Sequence, residues 1–276
     1  MVPRRFTKMA GGGNDFLVFE ADGRALGDGD RARVALLCRR GLSVGADGAL
    51  FVATSGPGRV RLDYFNADGG LASFCANGTR CAARYAAARG VVPDAELEIE
   101  TGWARIRAAV GRDRVTLHLP PLPPAGDPVR VSGDGLPPQG TPMRVGVPHL
   151  VVFVEPGRLA DLPVARLAPP LRRHPDLPDG ANVNFVEVTG PDRLAVRTFE
   201  RGVEGETLAC GSGVVASAVV AARDGRVRPP VACGTKSGVS FTVAFTPSDA
   251  SISDATLEGD AREIFTGELA EEAWKA

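Results

Sequence analysis

Lysine is scarce in this sequence, and long apolar runs are missing. Of the 32 basic residues, only Lys8, Lys236 and Lys275 are lysines, and none lies in a motif that would anchor pyridoxal phosphate. No apolar run approaches the roughly 20 residues that a membrane helix needs, and the arginines near the N-terminus precede no apolar signal segment. We therefore expect a cytoplasmic protein that has no membrane partner and does not use pyridoxal phosphate.

Charge and motif spacing exclude further classes of function. The formal net charge of −1 creates no overall field that would attract nucleic acid. The five cysteines form no CxxC pair, which argues against a disulfide framework and against a zinc knuckle. The glycine-rich segment 11–15 lacks the GxGxxG spacing of a dinucleotide-binding loop. The sequence thus predicts neither a metal nor a cofactor, and no nucleic-acid partner.

A segment rich in Pro and Gly divides the chain near its middle. Residues 120–142 carry little helical pattern, which is typical of a crossing between two halves. We expect an N-terminal half over 1–119 and a C-terminal half over 120–260. The last segment, 261–276, carries another short strand pattern and could return to the N-terminal half.

The two halves share one pattern. Each has a strand-like run, a polar loop, a cysteine, an alanine-rich segment and a glycine 15 positions after the cysteine: Cys75 to Gly90, and Cys210 to Gly225. The alanine-rich segments indicate helices that end at a glycine cap. The sequence therefore predicts a mixed α/β fold of two pseudo-symmetric, duplicated domains. In each, a curled mixed sheet surrounds a Cys-capped helix, and we expect the active site in the cleft between the domains.

Two cysteines in matched settings indicate acid–base chemistry. A cysteine at a helix N-terminus meets unpaired N–H groups and the positive end of the helix dipole, which favour the thiolate. The same N–H groups can hold the carboxylate of an amino acid. One thiolate could then remove the α-hydrogen while the opposite thiol supplies a new one, which racemises the carbon. We assign this chemistry to Cys75 and Cys210, and we expect Cys38, Cys81 and Cys233 to be core residues.

These motifs closely resemble the diaminopimelate epimerase family. FNADGGLASFCANGTRC (65–81) and ERGVEGETLACGSG (200–213) resemble its two cysteine motifs, and FTKMAGGGNDFLVFE (6–20) resembles its opening segment. GLSVGADGALFV (41–52), GVPHLV (146–151) and GANVNFVEV (180–188) follow in the family's order, and the match extends to GDAREIFTGEL (259–269). The resemblance implies a cofactor-independent isomerase that converts LL-2,6-diaminopimelate into meso-diaminopimelate for lysine and peptidoglycan synthesis. It also suggests a homodimer.

The resemblance implies roles for individual residues. Cys75 and Cys210 would be the base and the acid, with His149 and Glu200 beside them to tune their protonation. Backbone N–H groups that hold the reacting carboxylate would come from Ala76, Asn77, Gly211 and Ser212. The far end of the substrate, itself an amino acid, would be bound by Asn14, Asn66, Asn182 and Arg201.

The sequence departs from the family pattern at three positions. Ala76 replaces the usual Gly after the first cysteine, Val147 replaces the Asn of the usual GNPH, and Gly48 replaces a Gln found in some members. The last two remove polarity from the far end of the site, so the reaction type is fixed more firmly than the substrate. The alternatives are a racemase of another amino acid such as histidine, a thiol redox protein and an amino-acid-binding protein without chemistry.

Overall fold

The chain folds into two units that alternate strands and helices. The computed structural model describes residues 2–93, 95–133, 135–248 and 250–275. One unit comprises Met1–Leu117 and Gly259–Ala276, and the other comprises His118–Glu258. We call them unit 1 and unit 2. Their mixed content of strand and helix confirms the predicted α/β class. None of the helices in the described ranges is both long and apolar enough to cross a membrane.

The elements follow one another in the same order in the two units. The strands are β1 (Arg5–Gly11), β2 (Asn14–Glu20), β3 (Gly48–Gly56), β4 (Arg59–Asn66), β5 (Leu71–Ala72), β6 (Glu96–Glu100), β7 (Arg105–Val110), β8 (Arg114–His118), β9 (Val129–Arg130), β10 (Gln139–Val145), β11 (Val147–Phe153), β12 (Asn182–Gly190), β13 (Arg193–Glu200), β14 (Gly205–Thr207), β15 (Val231–Thr235), β16 (Ser240–Ala244), β17 (Thr256–Asp260) and β18 (Arg262–Glu268). The helices are α1 (Asp28–Cys38), α2 (Ala76–Ala88), α3 (Val164–Arg172) and α4 (Gly211–Arg223), and a 3₁₀ turn covers Glu271–Trp274.

Strand pairing repeats from unit 1 to unit 2. In unit 1, β1–β2, β3–β4 and β6–β7 are antiparallel, whereas β2–β3 and β4–β6 are parallel. In unit 2, β10–β11, β12–β13 and β15–β16 are antiparallel, whereas β11–β12 and β13–β15 are parallel. A helix lies within each parallel connection: α1 and α2 in unit 1, α3 and α4 in unit 2. This correspondence confirms the duplicated fold predicted from the repeated cysteine pattern.

Each sheet encloses the helix that follows its cysteine. Helix α2 packs against β1–β4, β6 and β7, and α4 packs against β10–β13, β15 and β16. Both helices end as the sequence predicts, since Gly90 (φ 66°) and Gly225 (φ 68°) adopt the left-handed conformation two positions after the last helical residue. Apolar side chains on the opposite faces of the sheets pack against α1 and α3.

Helices α1 and α3 were not predicted from the sequence, and the segment 120–142 is more ordered than predicted. Helix α3 contains Pro169 and Pro170, which normally end a helix because proline lacks an N–H. Its buried positions Val164, Leu167 and Leu171 recur at helical spacing, so tertiary packing stabilises it. The segment 120–142 includes β9 and the start of β10, and it belongs to unit 2.

A glycine in the first turn of each enclosed helix allows the helix to approach the sheet. A Cβ added at Gly78 would lie 2.9 Å from Leu50 Cδ2, and one at Gly213 would lie 2.1 Å from Asn184 Oδ1. Both distances are shorter than van der Waals contact. Each glycine follows the capping cysteine by three residues. The approach therefore brings that cysteine close to the ends of the sheet strands.

Replacing Gly213 with Ala should destabilise unit 2. The new methyl group would displace the buried Asn184 side chain, and overpacking of this kind costs about 1–3 kcal/mol of unfolding free energy. Urea denaturation of Gly213→Ala and of the control Gly234→Ala measures the effect. At Gly234 the added Cβ would contact only Leu194 O, at 3.9 Å. Equal stabilities for the two variants would contradict the close approach.

Candidate active site

Each unit places four equivalent positions around the start of its enclosed helix. They are the first residue of the second strand, the first residue of the third, the last residue of the fourth and the residue that caps the helix. In unit 1 they are Asn14, Gly48, Asn66 and Cys75; in unit 2 they are Val147, Asn182, Glu200 and Cys210. The strand pairing puts the three strand ends at one edge of the sheet. The sequence motifs single out all eight positions, six as candidate site residues and the other two, Val147 and Gly48, as departures from the family pattern.

Cys75 is the N-cap residue of α2 and has an extended backbone (φ −144°, ψ 110°). Its Sγ accepts a hydrogen bond from the Gly78 N–H at 3.4 Å. The Thr79 hydroxyl donates to the Cys75 carbonyl at 2.9 Å and fixes the turn. The N–H donor and the positive end of the helix dipole both favour negative charge on this sulfur.

Asn77 and Asn14 are hydrogen-bonded to each other inside unit 1. Asn77 Nδ2 donates to Asn14 Oδ1 at 2.7 Å, and Asn14 Nδ2 donates to Asp47 Oδ2 at 2.9 Å. The Asn77 side chain is only 2% exposed, and a Cβ on Gly12 would lie 2.6 Å from its Oδ1. The GGGND segment thus leaves space for Asn77. The side chain of Asn77 supports the turn, whereas its N–H, together with that of Ala76, is at the helix start.

Asn66 lies at the end of β4 with its side chain exposed. Its N–H and C=O bond to Gly70 O and Gly69 N, each at 2.9 Å, in the loop that leads to the cysteine motif. Its register neighbour on β3 is Gly48, where a Cβ would lie 2.6 Å from Tyr64 Cε2. The added Cβ would also lie 2.5 Å from Phe65 O, so this carbonyl and the Tyr64 ring together exclude a side chain at position 48.

Cys210 is the N-cap residue of α4 and is 7% exposed. Its Sγ lies 3.5 Å from Ser212 Oγ, and its carbonyl accepts the Val214 N–H at 2.9 Å. Gly211 and Ser212 form the first turn, and both are buried. The backbone therefore has the same form at both cysteines, whereas the neighbouring side chains differ.

His149 lies in a buried polar chain beneath α4. The Thr198 hydroxyl donates to Asn184 Oδ1 at 3.0 Å, so the amide nitrogen of Asn184 faces His149 Nδ1 at 3.2 Å and donates to it. This places the ring proton on Nε2, which is buried with no hydrogen-bond partner among the described residues. Burial lowers the pKa of His149 to about 3, the positive charge of Arg201 lowers it as well, and the Asn184 bond opposes both. His149 is therefore neutral, with one unused N–H donor.

Asn184 and Thr198 were missed in the sequence analysis. Asn184 follows Asn182 by two positions in a strand, so strand alternation places both side chains on the face that carries His149. This signal was available in GANVNFVEV. Thr198 stands two positions before Glu200 on β13 and carries no motif of its own.

The remaining predicted site residues of unit 2 are Glu200, Asn182 and Arg201. Glu200 Oε1 accepts the Thr207 hydroxyl at 2.6 Å. Asn182 Oδ1 accepts the Arg201 N–H at 2.7 Å, and Arg201 Nη1 donates to Asp179 O at 2.7 Å. Asn182 thus fixes the backbone from which the Arg201 guanidinium extends. Asn182 is also the register partner of His149.

A cavity of about 280 Å³ adjoins His149 in unit 2. Five of the twelve residues that line it are prolines, and the ion pair of Arg144 and Asp179, at 3.2 Å, supplies charge. Within the described part of the chain, no group of three or more His, Cys, Asp or Glu side chains is arranged to hold a metal ion.

Comparison with known proteins finds relatives over nearly the whole chain. The family model described as diaminopimelate epimerase matches residues 6–114 and 142–251. The diaminopimelate epimerase of Archaeoglobus fulgidus is 38% identical over 96% of this chain and 95% of its own length. That of Chlorobaculum tepidum is 37% identical over 95% of this chain and 99% of its own length.

Solved structures share the fold at lower identity. A phenazine biosynthesis protein of the PhzF family from Bacillus anthracis superposes with a TM-score of 0.73 at 17% identity, covering 98% of this chain and all of that one (100%). A hydroxyproline epimerase from Agrobacterium vitis, with bound trans-4-hydroxy-L-proline, gives 0.71 at 19% identity, covering 98% and 91%.

The unusual environment of His149 should be visible in titration. Its pKa in the folded protein is about 3, below the ordinary 6.5. The neutral ring therefore makes its full contribution to the unfolding free energy above pH 6.5 and loses it as the pH falls towards 3. NMR should find the ring neutral down to about pH 4. Wild type should lose about 1 kcal/mol more unfolding free energy per pH unit than His149→Gln on acidification below about pH 6. A titration midpoint near 6.5 would refute the assignment.

Proposed function

The chain belongs to the diaminopimelate epimerase family, and we propose that it interconverts LL- and meso-2,6-diaminopimelate without a cofactor. The family model and the relatives over nearly the whole chain support the activity. The single structural observation that carries it is the repeated helix cap, with a cysteine at the same position in both units. The roles assigned below to individual residues are part of the proposal.

The reaction is a proton exchange at the α-carbon. One sulfur, as thiolate, takes the α-proton while the other, as thiol, donates its proton to the opposite face, so the carbon inverts and the two protonation states exchange. The scheme requires Cys75 and Cys210 to reach opposite faces of one α-carbon. The N–H groups of Ala76, Asn77, Gly211 and Ser212 would hold the reacting carboxylate and stabilise the charge that develops on it.

His149 and Glu200 would act on the cysteines rather than on the carbon. His149 supplies a hydrogen-bond donor, its buried Nε2–H, and its ring stays neutral across physiological pH. Glu200, held by Thr207, supplies an acceptor. A donor and an acceptor beside two sulfurs suit a reaction in which one is thiolate and the other is thiol.

Polar groups at the strand ends support a substrate with a second amino-acid end. Arg201 offers a fork of N–H donors for a distal carboxylate, and its backbone is fixed by Asn182. Asn14 and Asn66 lie at two of the strand ends of unit 1. At the two remaining strand ends, Val147 and Gly48 contribute no polar side chain. A racemase of a different amino acid, such as histidine, would share this feature.

Proton exchange in D₂O tests the activity and the substrate together. Wild type should incorporate α-deuterium into LL-diaminopimelate and form the meso isomer, as followed by NMR. Cys75→Ser and Cys210→Ser should each lower epimerisation by about 10²- to 10⁴-fold, because an alcohol is a much weaker acid than a thiol. The matched control is Cys233→Ala, which removes a buried β15 thiol whose pKa burial raises to about 12.

Other outcomes separate the alternatives. If wild type leaves diaminopimelate unchanged but exchanges histidine or another amino acid, the two-cysteine reaction stands and the substrate is wrong. If no amino acid exchanges in the fully reduced protein, the epimerase proposal fails. Formation of a Cys75–Cys210 disulfide in a peptide map would then favour the redox alternative, and substrate-dependent stabilisation without exchange would favour a binding protein.

The proposal extends to location and cofactor. All five cysteines are thiols, which fits a reducing cytoplasm. The mechanism uses groups of the protein alone, so activity should persist after dialysis against a chelator and without pyridoxal phosphate.

We further infer a homodimer formed along β18. This strand pairs with β1 on one side, and its residues are almost all exposed, including Ile264 (52%) and Phe265 (47%). Within the described residues of unit 1, β18 is an edge of the sheet, and an exposed apolar edge strand favours pairing with another chain. Two copies paired antiparallel about Phe265 would place Arg262 of each opposite Glu268 of the other.

Introducing or reversing charges on β18 tests this interface. Phe265→Asp should shift the protein from dimer to monomer in size-exclusion chromatography with light scattering, whereas Leu42→Asp, at another exposed apolar site, should not. Arg262→Glu should weaken the dimer and Arg262→Glu with Glu268→Arg should restore it. A monomeric wild type, or a dimer that survives Phe265→Asp, would refute the inferred interface without affecting the proposed activity.

A further inference from the structure

Arg80 places a positive charge inside the helix that Cys75 caps. The side chain is fully buried, at 0% exposed, and no residue among the fully buried ones is larger. Its Nη1 donates to Ala76 O at 3.2 Å, its Nη2 to Asn77 Oδ1 at 2.6 Å and its Nε to Asp260 O at 3.2 Å. These three acceptors are neutral, so the hydrogen bonds that they accept leave the positive charge on the side chain.

The guanidinium begins a chain of hydrogen bonds that runs through the first turn of α2. Arg80 donates to Asn77, Asn77 donates to Asn14, and Asn14 donates to Asp47. All three donors point in one direction, from a cation to a carboxylate, and bonds aligned in this way polarise one another. The chain fixes Ala76 and Asn77, whose N–H groups follow Cys75.

Unit 2 has no equivalent charge at the corresponding helix position. Arg80 lies five positions after Cys75, and the residue five positions after Cys210 is the buried Val215. The polar support in unit 2 comes from the sheet instead, through His149, Asn184 and Thr198. His149 is neutral because its pKa is about 3. The duplicated cysteine turns therefore differ by one buried cation.

The other charged and titratable groups that act on Arg80 do not remove this difference. Cys81 is buried on the same helix, and burial raises its pKa to about 12, so it stays neutral. Asp260 attracts Arg80, but its carboxylate also accepts the Gly12 N–H and pairs with Arg262 at 3.3 Å. Burial lowers the pKa of Arg80, the charge of Arg114 on β8 lowers it further and Cys75 raises it, but a guanidinium remains charged in proteins.

We propose that Arg80 is a positioning residue that fixes the first turn of α2 and biases the resting enzyme towards a Cys75 thiolate and a Cys210 thiol. The inference rests on the proposed two-cysteine reaction. Because each turnover exchanges the two protonation states, the bias does not prevent the reverse reaction. It makes the two half-reactions unequal: the stereoisomer whose α-hydrogen faces Cys75 meets a ready base, and the other must wait for proton transfer.

The test measures thiolate formation at each cysteine without substrate. Native protein is treated briefly with iodoacetamide at pH values from about 5 to about 10, the range in which thiols titrate, and each cysteine is quantified by peptide mass spectrometry. Midpoints rather than rates are compared, because restricted access of the reagent to a sulfur lowers the alkylation rate at every pH and leaves the midpoint unchanged. In wild type, Cys75 should have a lower midpoint than Cys210.

Substitution at position 80 should move one midpoint only. Arg80→Met should raise the Cys75 midpoint by about one pH unit and leave Cys210 unchanged, and Arg80→Lys should recover most of the shift because it keeps the charge. Arg84→Met is the matched control, since Arg84 lies on the same helix but donates to the carbonyls of Gly111 and Arg112. It should leave both midpoints unchanged.

Equal midpoints for Cys75 and Cys210 in wild type would overturn the proposal, as would an unchanged Cys75 in Arg80→Met or an equal shift of both cysteines. If Arg80→Met does not melt cooperatively, wild type and Arg80→Lys decide the question. Alkylation requires no substrate. Failure to epimerise diaminopimelate therefore counts against the proposed function, whereas the midpoints count for or against Arg80.

Discussion

The close approach of one helix to one sheet is the constraint on which each unit depends. At Gly78 and Gly213 the helix backbone lies so near the sheet that no side chain fits between them. This contact determines where the helix starts and therefore where its capping cysteine lies. It also places the first N–H groups of the helix at the edge where three strands end. Packing thus assembles the cysteine, the first N–H groups of the helix and the strand-end side chains.

Beneath the same helix turn, the two units use different chemistry. In unit 1 the sheet offers Phe16 and Leu50, which pack under Gly78 as ordinary core residues. In unit 2 the register positions of these two residues hold His149 and Asn184. Unit 1 obtains its polar support from the helix side, through Asn77 and Arg80, and unit 2 obtains it from the sheet side. The same architecture therefore holds a buried cation at one cysteine-capped turn and a neutral imidazole beneath the other helix.

Much of the fold could be predicted because two of its signals are local. Alanine-rich runs that end at Gly90 and Gly225 identify α2 and α4, and the equal spacing from each cysteine reveals the duplication. Helices α1 and α3 escaped prediction because tertiary contacts, rather than propensity, stabilise them; Pro169 and Pro170 even argue against α3. The segment 120–142 contains strand β9 and the start of β10 because it can pair with neighbouring strands, which its composition does not reveal.

Site residues were predictable where a motif names them, and not where a contact defines them. Asn77 was chosen for its N–H, and only the structure shows that its side chain is committed to Asn14 and Arg80. Asn184 could have been inferred from strand alternation. Thr198 could not, because its role is to orient the Asn184 amide, which only the structure shows. Arg80 is part of the sequence TRC, but a basic residue in a helix is ordinarily solvent-exposed, so its burial was not expected.

The placement of site residues at strand ends separates two kinds of contact. Gly48, Asn66 and Val147 lie at strand termini, whereas the helix approach is set further along the strands, at Leu50 and Asn184. A substitution at Asn66 or Val147 therefore changes a side chain at the sheet edge and leaves the packing under the helix start in place. Position 48 is the exception, because the Phe65 carbonyl and the Tyr64 ring leave no room there for a Cβ.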